Sequence, residues 1–348
     1  MSQLPKTQLE DLLKEEGLHF ISDQIPGFFR QKKGKGFIYY DLDGKQIKNA
    51  GVLERIEKLV IPPAWDDVWI SPKTNSHIQA TGRDQKRRKQ YIYHPDWIKI
   101  SQETKFEKLS DFGLSLPKIR SRIQYALRKK TLNKERILAT VIWLLEHTFI
   151  RVGNEEYSKE NNSFGLTTLR NKHVKVKGSQ IFFSFKGKSG VHADIEISNP
   201  TIAKTIKKCI ELPGYELFSF FDDSGRHVID SQDVNLFLKD ATGNNFSAKD
   251  FRTWGGTSLS AKNLFKLGFS ENEKDIKKNI VSTVKQVSEY LNNTVSVCKN
   301  YYIHPSVFST YQKNILIPHY NYYAKSKTEK KGLNWNEYAL IKLLQKHP

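Results

Sequence analysis

The sequence predicts an α+β fold in which a small β-rich domain, residues 1–105, precedes a mostly helical domain, residues 106–348, that contains a small antiparallel sheet. The chain has 348 residues, a length that usually divides into about two domains. Short apolar runs separated by turn residues fill its first third, which is typical of strands. Beyond Pro117 the apolar residues follow helical spacing.

In the first domain, residues 7–16 have the spacing of a short amphipathic helix. Strand signals follow at residues 37–40, 46–47, 68–70, 77–80 and 90–93. Asp43-Gly44 separates the first two runs and is a dipeptide typical of hairpin turns. Residues 71–75 form a second predicted turn. These segments make the first domain β-rich.

In the second domain, apolar side chains align along one helix face from Ile119 to Leu127 and along another from Ile137 to Phe149. Three strands are then predicted, with Gly-containing turns between them, at residues 173–176, 181–185 and 193–197. Helices resume at Pro200, which suits a first helical position, and residues 247–250 resemble a capping box. Further helices are predicted at residues 272–291 and 334–346.

The chain is strongly basic, with 56 Lys and Arg residues, 37 Asp and Glu residues and a formal net charge of +19. This excess favours nucleic acid as the partner before an anionic membrane, although it also suits a basic protein that merely stays dissolved.

Cys209 and Cys298 match neither a zinc motif nor a disulfide framework. With no apolar signal segment and no bilayer-spanning stretch, we expect a cytoplasmic protein without a membrane partner.

Residues 82–93 combine basic and aromatic side chains in one short segment. Such cations neutralise phosphates whatever the base sequence, and Gln90 and Tyr91 can then reach sugars or base edges. In a strand, Tyr91 and Tyr93 would lie on one face. The alternative is a solvated loop that leads into a core strand. The predicted nucleic-acid contacts are Arg83, Lys86, Arg87, Arg88, Lys89, Gln90 and Tyr91.

Two common catalytic motifs are absent from the sequence, the phosphate-binding Gly-x4-Gly-Lys-Ser/Thr and the metal-binding His-Glu-x-x-His. Asp41 and Asp43 could suggest a magnesium site, but Asp-Gly at 43–44 is expected in a hairpin turn on conformational grounds alone. We therefore expect neither a metal nor a cofactor.

Phosphoryl transfer can proceed without a metal when arginines bind the phosphate oxygens and a lysine protonates the leaving oxygen. A tyrosine can be the nucleophile, because nearby cations favour its phenolate form. Such a site needs scattered arginines, a lysine on a turn and a tyrosine toward the C-terminus. The chain has all three.

Four segments resemble the small type IB DNA topoisomerases of bacteria and poxviruses. They are residues 149–157 (FIRVGNEEY), 185–189 (FKGKS), 249–255 (KDFRTWG) and 293–305 (NTVSVCKNYYIHP). Residues 61–65 (IPPAW) and the basic segment resemble the N-terminal domain of that family. The segments occur in the family's order over nearly the whole chain. The resemblance implies, for the helical domain, the fold that tyrosine recombinases share with type IB topoisomerases.

Through these segments the resemblance assigns roles to five residues. Arg151 and Arg252 would bind the non-bridging oxygens of the scissile phosphate, and Lys188 would protonate the departing 5′ oxygen. Asn293 stands where many relatives have a histidine, and its amide can donate the same hydrogen bond without a charge. Tyr302 would attack the phosphorus and form a 3′-phosphotyrosyl bond.

The neighbouring residues Tyr301 and Tyr302 point about 100° apart on a helix, so only one of them can face the phosphate. The spacing of nine residues from Asn293 favours Tyr302, with Tyr301 as the alternative. On one continuous helix this spacing would put Asn293 and Tyr302 on opposite sides. We therefore expect residues 292–294 to break the helix and to cap the next one.

The resemblance implies an enzyme that relaxes supercoiled duplex DNA without ATP or metal, by cutting one strand, letting its 5′-OH end rotate and resealing the break. The expected form is a monomer that clamps DNA, at the nucleoid in a bacterium, with Tyr157 as a further DNA contact. The alternatives are a tyrosine recombinase-like strand transferase and a non-catalytic basic nucleic-acid-binding protein. The β-rich first domain, and Lys249 where recombinases usually have histidine, favour the topoisomerase.

Overall fold

The structure is a computed structural model that describes residues 10, 13–34, 36–326 and 331–348. The chain divides into two compact units between Lys105 and Phe106. The predicted α+β class is confirmed, since one unit is built on a sheet and the other mainly on helices. Of the helix predicted at residues 7–16, residues 10 and 13–15 are helical, and residues 7–9, 11 and 12 lie outside the described part.

The N-terminal unit is built on a five-stranded antiparallel sheet with the strand order β2-β1-β3-β4-β5. Its elements are β1 (Phe28–Lys33), β2 (Gly36–Tyr40), α1 (Ala50–Lys58), β3 (Asp66–Ile70), β4 (Ile78–Arg83), β5 (Lys89–Tyr93) and α2 (Pro95–Glu107), of which the last two residues belong to the C-terminal unit. Alternate residues of a strand point to opposite faces. Val68 and Ile70 of β3 therefore share one face, where they pack with Ile56 of α1 in a small core.

Four strand predictions of this unit are confirmed, those at residues 37–40, 68–70, 77–80 and 90–93. Residues 46–47 form no strand, because Gln46 makes only a single bridge with Tyr40 and β2 pairs with β1 instead. The predicted turn before them is present. The Asp41 carboxylate accepts hydrogen bonds from the N–H groups of Asp43 at 3.0 Å and Lys45 at 2.8 Å, so Asp41 stabilises the turn.

The C-terminal unit packs helices around one hydrophobic core and carries two small sheets. Its helices are α3 (Leu109–Leu127), α4 (Lys134–Thr148), α5 (Glu155–Asn161), α6 (Pro200–Ile210), α7 (Ser231–Thr242), α8 (Ala248–Leu267), α9 (Glu273–Tyr290), α10 (Val295–Tyr301), α11 (Pro305–Gln312), α12 (Leu316–Ser326) and α13 (Trp335–Lys346). Its strands are β6 (Val174–Lys177), β7 (Gln180–Lys186), β8 (His192–Ser198), β9 (Ser219–Asp222) and β10 (Gly225–Val228). Within the described ranges, no helix is long and apolar enough to cross a membrane.

Helix α3 starts earlier than predicted and runs through Pro117. A proline inside a helix removes one hydrogen bond and crowds the preceding turn, at a cost of roughly 3 kcal/mol. Phe112 and Leu116 before the proline and Ile119 after it are all almost fully buried. Burial of this apolar face offsets the cost, and it is a tertiary contribution that the local sequence pattern does not reveal.

The predicted three-stranded sheet is confirmed, because β6, β7 and β8 form consecutive antiparallel hairpins. Pro200 is the first residue of α6, and Ser247 and Asp250 form the predicted capping box at the start of α8. Helices α9 and α13 match the predictions at residues 272–291 and 334–346. The hairpin of β9 and β10 is an addition that the sequence pattern did not indicate.

Candidate active site

The five predicted catalytic residues come from separate elements of the C-terminal unit. Arg151 follows α4, Lys188 lies on the turn between β7 and β8, and Arg252 lies in α8. Asn293 lies between α9 and α10, and Tyr302 directly follows α10. The fold brings them into one region, since the positive charges of Arg252, Arg151 and Lys188 all act on the Tyr302 phenol.

Arg252 is almost fully buried, with 4% of its surface exposed. Its guanidinium donates hydrogen bonds to the main-chain carbonyl of Phe149 and, at 2.7 Å, to that of Leu291. The guanidinium carbon lies 5.0 Å from the centroid of the Tyr302 ring. The two carbonyls therefore hold the cation against the phenol. Sequence reasoning missed both contacts, because main-chain carbonyls carry no sequence signature.

The Phe149 carbonyl is available to Arg252 because α4 ends at Thr148. The last carbonyls of a helix have no partner within it, and Phe149 turns the chain away in a left-handed conformation, with φ 52°. The Phe149 ring occupies the space that a side chain at Gly255 would need, since a Cβ there would lie closer than 3.0 Å to the ring. The close approach of these two segments thus requires glycine at 255.

Arg151 is tied to the segment between α9 and α10. Its Nη2 donates to Oδ1 of Asn293 at 2.6 Å. Burial lowers the pKa of the Arg151 guanidinium, and the nearby charge of Arg252 lowers it further, while the Tyr302 phenol acts in the opposite sense. Two guanidiniums that repel each other at short range favour an anion between them. A phosphodiester is such an anion.

Asn293 has one further hydrogen-bonding group. Its Nδ2 is buried and has no hydrogen-bond partner among the described residues. A buried donor without a partner is costly, which is why such groups often face a ligand. The amide therefore has a free donor beside Arg151, where the sequence predicted a hydrogen bond to a phosphate oxygen.

The predicted helix break at residues 292–294 is confirmed. Helix α9 ends at Tyr290, and two residues later Asn292 adopts a left-handed conformation with φ 53°. The Thr294 hydroxyl then caps α10 by accepting from the N–H of Val297 at 3.3 Å. Because of the break, Asn293 and Tyr302 can both face Arg151 although nine residues separate them.

Lys188 begins the short turn Lys188–Gly190, and its side chain is exposed. Ser189 and Gly190 have left-handed conformations with φ 64° and 80°. The N–H of Gly187 donates to the carbonyl of Val191 at 2.7 Å and closes the turn. The amine thus projects from the tip of a hairpin, a position from which a proton donor can reach a substrate.

Tyr302 is the better-placed of the two neighbouring tyrosines. Burial alone raises the pKa of its phenol, but the charge and hydrogen bond of Arg252, with the charges of Arg151 and Lys188, outweigh burial and lower that pKa below its ordinary value. A lower pKa means a larger share of phenolate, which is the nucleophilic form. Tyr301, in contrast, is 41% exposed at the end of α10.

A cavity of about 400 Å³ adjoins this site and is lined in part by Arg151, Lys188 and Arg252. This volume lies within the range of ligand pockets, about 300–1,000 Å³. Tyr157, in α5, is close enough to Arg151 to affect its pKa. In the described part of the chain, no group of three or more His, Cys, Asp or Glu residues is arranged to hold a metal ion.

The predicted nucleic-acid contacts at residues 83–91 lie in the other unit, on β4, β5 and the turn between them. Asp84 organises this turn, since its carboxylate binds Arg88 at 2.6 Å and accepts from Nε2 of Gln90 at 3.0 Å. Tyr91 and Tyr93 stack with ring centroids 5.7 Å apart, which confirms that they share a face.

Carboxylates also pair with other cations of this hairpin. Arg87 lies 2.9 Å from Asp67, and Lys89 lies 2.5 Å from Asp23. The sequence pattern could not indicate these pairs, because Asp23 and Asp67 are distant in the chain. Lys86, in contrast, forms no ion pair with another described residue, so among the cations of this hairpin its charge is the most available for an anion.

Two family models match the chain. The model of the eukaryotic DNA topoisomerase I catalytic core matches residues 94–330, and the model of the bacterial DNA topoisomerase IB N-terminal domain matches residues 36–84. The first covers more than half of the chain and contains all five residues of the candidate site.

Two viral relatives are similar to this chain over most of their length. DNA topoisomerase 1B of Acanthamoeba polyphaga mimivirus is 35% identical over 298 residues, which cover 83% of this chain and 89% of that protein. DNA topoisomerase 1B of vaccinia virus (strain Copenhagen) is 27% identical over 278 residues, covering 76% of this chain and 83% of the viral protein. DNA topoisomerase 1 of Schizosaccharomyces pombe is 28% identical over 142 residues, covering 40% of this chain and 17% of the yeast protein.

Proposed function

The chain belongs to the type IB DNA topoisomerase family, and we propose that it relaxes supercoiled duplex DNA through a 3′-phosphotyrosyl intermediate on Tyr302. One observation carries this proposal: the positive charges of Arg252, Arg151 and Lys188 converge on a single phenol and lower its pKa. A cluster of cations around a nucleophile suits an anionic substrate, because it favours both the phenolate and the bound phosphodiester.

In the cleavage step, the Tyr302 oxygen attacks the phosphorus after its proton has passed to solvent. A bond forms between the phenolic oxygen and the phosphorus, and the bond from the phosphorus to the 5′ oxygen breaks. Lys188 gives its proton to the departing 5′ oxygen, so a neutral hydroxyl leaves. Religation is the same reaction in reverse, with the 5′ hydroxyl as the nucleophile.

Charge develops on the non-bridging oxygens during both steps. Arg151 and Arg252 stabilise that charge, since preorganised donors in a partly buried site cost little reorganisation when the reaction occurs. Asn293 adds a hydrogen bond from its Nδ2, which has no partner among the described residues. The hydrogen bond between Arg151 and Asn293 keeps the two donors at a fixed separation.

The reaction exchanges one phosphodiester bond for another, so the covalent intermediate retains the bond energy that religation needs. Neither ATP nor a metal ion takes part in the proposed steps. The energy of relaxation comes from the supercoils, which unwind as the free strand rotates.

The N-terminal unit contributes DNA binding in this proposal. Its β4–β5 hairpin carries the residues that neutralise phosphates, and Tyr157 of the C-terminal unit adds a contact near Arg151. We propose that a monomer clamps duplex DNA between its two units. The location that fits this role is the compartment that holds the DNA, which in a bacterium is the nucleoid.

Relaxation of a supercoiled plasmid in EDTA and without ATP tests the proposed function. We expect the wild-type protein to relax the plasmid, and Tyr302→Phe to lose on the order of 10³-fold or more in rate. Tyr301→Phe is the matched control, since it removes the neighbouring hydroxyl and should keep activity. If Tyr302→Phe relaxed the plasmid as fast as the wild type, the assignment of the nucleophile would be wrong.

A second assay separates the topoisomerase from the alternatives. On a duplex whose cleaved strand loses a short 3′ fragment, religation is prevented and the covalent adduct accumulates. Peptide mapping should find the adduct on Tyr302. No adduct would favour a non-catalytic DNA-binding protein, and strand exchange between paired sites without plasmid relaxation would favour a recombinase.

A further inference from the structure

The main chain of Tyr302 lies directly against α8, the helix that carries Arg252. A Cβ at Gly256 would lie closer than 3.0 Å to the carbonyl oxygen of Tyr302 and 3.2 Å from its carbonyl carbon. Both of these are backbone atoms, so no flexible side chain could move aside. The approach of Tyr302 to α8 is therefore possible only with glycine at 256.

A second contact holds the same segment. The Thr257 hydroxyl accepts a hydrogen bond from the N–H of His304 at 3.0 Å and donates to the carbonyl of Tyr302 at 3.4 Å. Thr257 has no exposed surface, and Ile303 and His304 are both at least nine-tenths buried. The buried Thr257 hydroxyl thus links the residues before and after Ile303, and it fixes the path of the main chain as it leaves Tyr302.

The contacts of Gly256 and Thr257 with the Tyr302 segment and the guanidinium of Arg252 next to the phenol all belong to one helix, α8. Arg252 and Gly256 are four residues apart in α8 and therefore lie on the same side of the helix. Arg252 contacts the ring of Tyr302, whereas Gly256 contacts its main chain. A single helix thereby determines the distance between the nucleophile and the guanidinium beside it.

We propose that Gly256 and Thr257 are positioning residues that set the place of the Tyr302 phenol relative to Arg252. This inference rests on the proposed function, because it takes Tyr302 as the nucleophile. Neither residue is one of the proposed phosphate-binding groups. They act on the reaction through Tyr302, for which a displacement of about 1 Å is enough to slow chemistry about 10²-fold.

The test compares two substitutions at Thr257 in single-turnover cleavage. Thr257→Val keeps the shape and removes the hydroxyl, whereas Thr257→Ser keeps the hydroxyl. We expect Thr257→Val to form the covalent adduct about 10-fold to 10²-fold more slowly, and Thr257→Ser to stay close to the wild-type rate. Thr253→Val is the matched control, because Thr253 is also fully buried in α8 and its hydroxyl donates within the helix, at 3.5 Å to the carbonyl of Lys249.

Two further measurements separate positioning from a general loss of stability. The melting temperature of Thr257→Val should remain near that of the Thr253→Val control. DNA affinity, measured with Tyr302→Phe added to both variants to prevent cleavage, should also be similar in the two. The pH profile of cleavage should move to higher pH in Thr257→Val, because a phenol displaced from Arg252 loses the stabilisation of its anion. Gly256→Ala should show the same displacement more strongly. A merely structural role would leave the pH profile where it is.

The outcomes distinguish the inference from the proposed function. If the wild type forms the adduct on Tyr302 and Thr257→Val matches the rate and pH profile of Thr257→Ser, the inference is wrong and the function stands. A wild type that forms no adduct would overturn both. If Thr257→Val fails to fold, the pH profile of Gly256→Ala replaces it as the test. A shift to higher pH would support the inference, and an unchanged profile would contradict it.

Discussion

The guanidinium carbon of Arg252 lies 5.0 Å from the centroid of the Tyr302 ring, and the same guanidinium is held by the main-chain carbonyls of Phe149 and Leu291. A cation over an aromatic ring is attracted to its face. Here it also favours the phenolate, since its charge opposes the effect of burial on the pKa of the phenol. One contact therefore favours the anionic form of the proposed nucleophile before any DNA is bound.

Arg252→Gln should move the pH dependence of DNA cleavage. If Tyr302 is the nucleophile, the wild-type rate should rise with pH as its phenol loses its proton. The pKa of that phenol lies below its ordinary value because of the nearby cations. Without Arg252 this pKa rises, so the ascending limb moves to higher pH. At neutral pH we expect a loss of about 10²–10³-fold in the single-turnover rate.

The control for this prediction is Arg122→Gln, which removes an arginine of α3 paired with Glu135. Its pH profile should coincide with that of the wild type. An unchanged ascending limb in Arg252→Gln would mean that Arg252 does not act on the phenol.

Lys188→Ala should slow cleavage of ordinary DNA by about 10²–10⁴-fold, because the 5′ oxygen then leaves without a proton. A substrate with a 5′-thiol leaving group needs no such proton, so it should restore the rate of the variant nearly to that of the wild type. Lys186→Ala is the matched control on the same hairpin and should cleave both substrates normally. Equal losses on the oxygen and sulfur substrates would rule out Lys188 as the acid.

Asn293 is predicted to act as a hydrogen-bond donor to the phosphate rather than as a charged group. Asn293→Asp keeps the oxygen that Arg151 binds but replaces the Nδ2 donor by an anionic oxygen, and we expect plasmid relaxation to slow by about 10²-fold. Asn293→His keeps a donor and should relax the plasmid at close to the wild-type rate. Full activity of Asn293→Asp would show that the amide donates nothing to the phosphate.

Lys86→Ala should weaken DNA binding in a way that depends on salt. Each cation that neutralises a phosphate contributes about one unit to the slope of log affinity against log salt concentration, so the slope should fall by about 1. Fluorescence anisotropy over a range of salt concentrations measures it. Lys58→Ala serves as the control, because Lys58 is exposed but lies 2.7 Å from Glu54 on α1. The prediction fails if the two variants give the same slope.

The elements that the sequence predicted well have strong local signals. The helix break before α10 follows from the residues at 292–294, and the hairpin that carries Lys188 follows from alternating strands around a Gly-containing turn. Strand β1 lacked such a signal, because Phe28–Lys33 ends in polar side chains that are exposed in the structure. Its place in the sheet comes from backbone pairing with β2 and β3, which residue type alone does not encode.

Residues 255–257, a Gly-Gly-Thr run inside α8, are a signal that could have been used. Glycine in a helix interior costs about 1 kcal/mol relative to alanine, so two in succession indicate that something packs closely. The sequence does not say what packs there. In the structure it is the Phe149 ring at Gly255 and the Tyr302 main chain at Gly256.

By itself, the sequence determined the fold class, the basic character, the family likeness and the candidate residues, because composition, periodicity and short motifs are local properties. Only the tertiary structure decided how Arg252 is held, which group of Asn293 has no partner among the described residues, and what anchors Tyr302. These relationships join residues far apart in the chain, often through main-chain atoms common to all residues. Their geometry exists only once α8, α10 and the end of α4 have packed together.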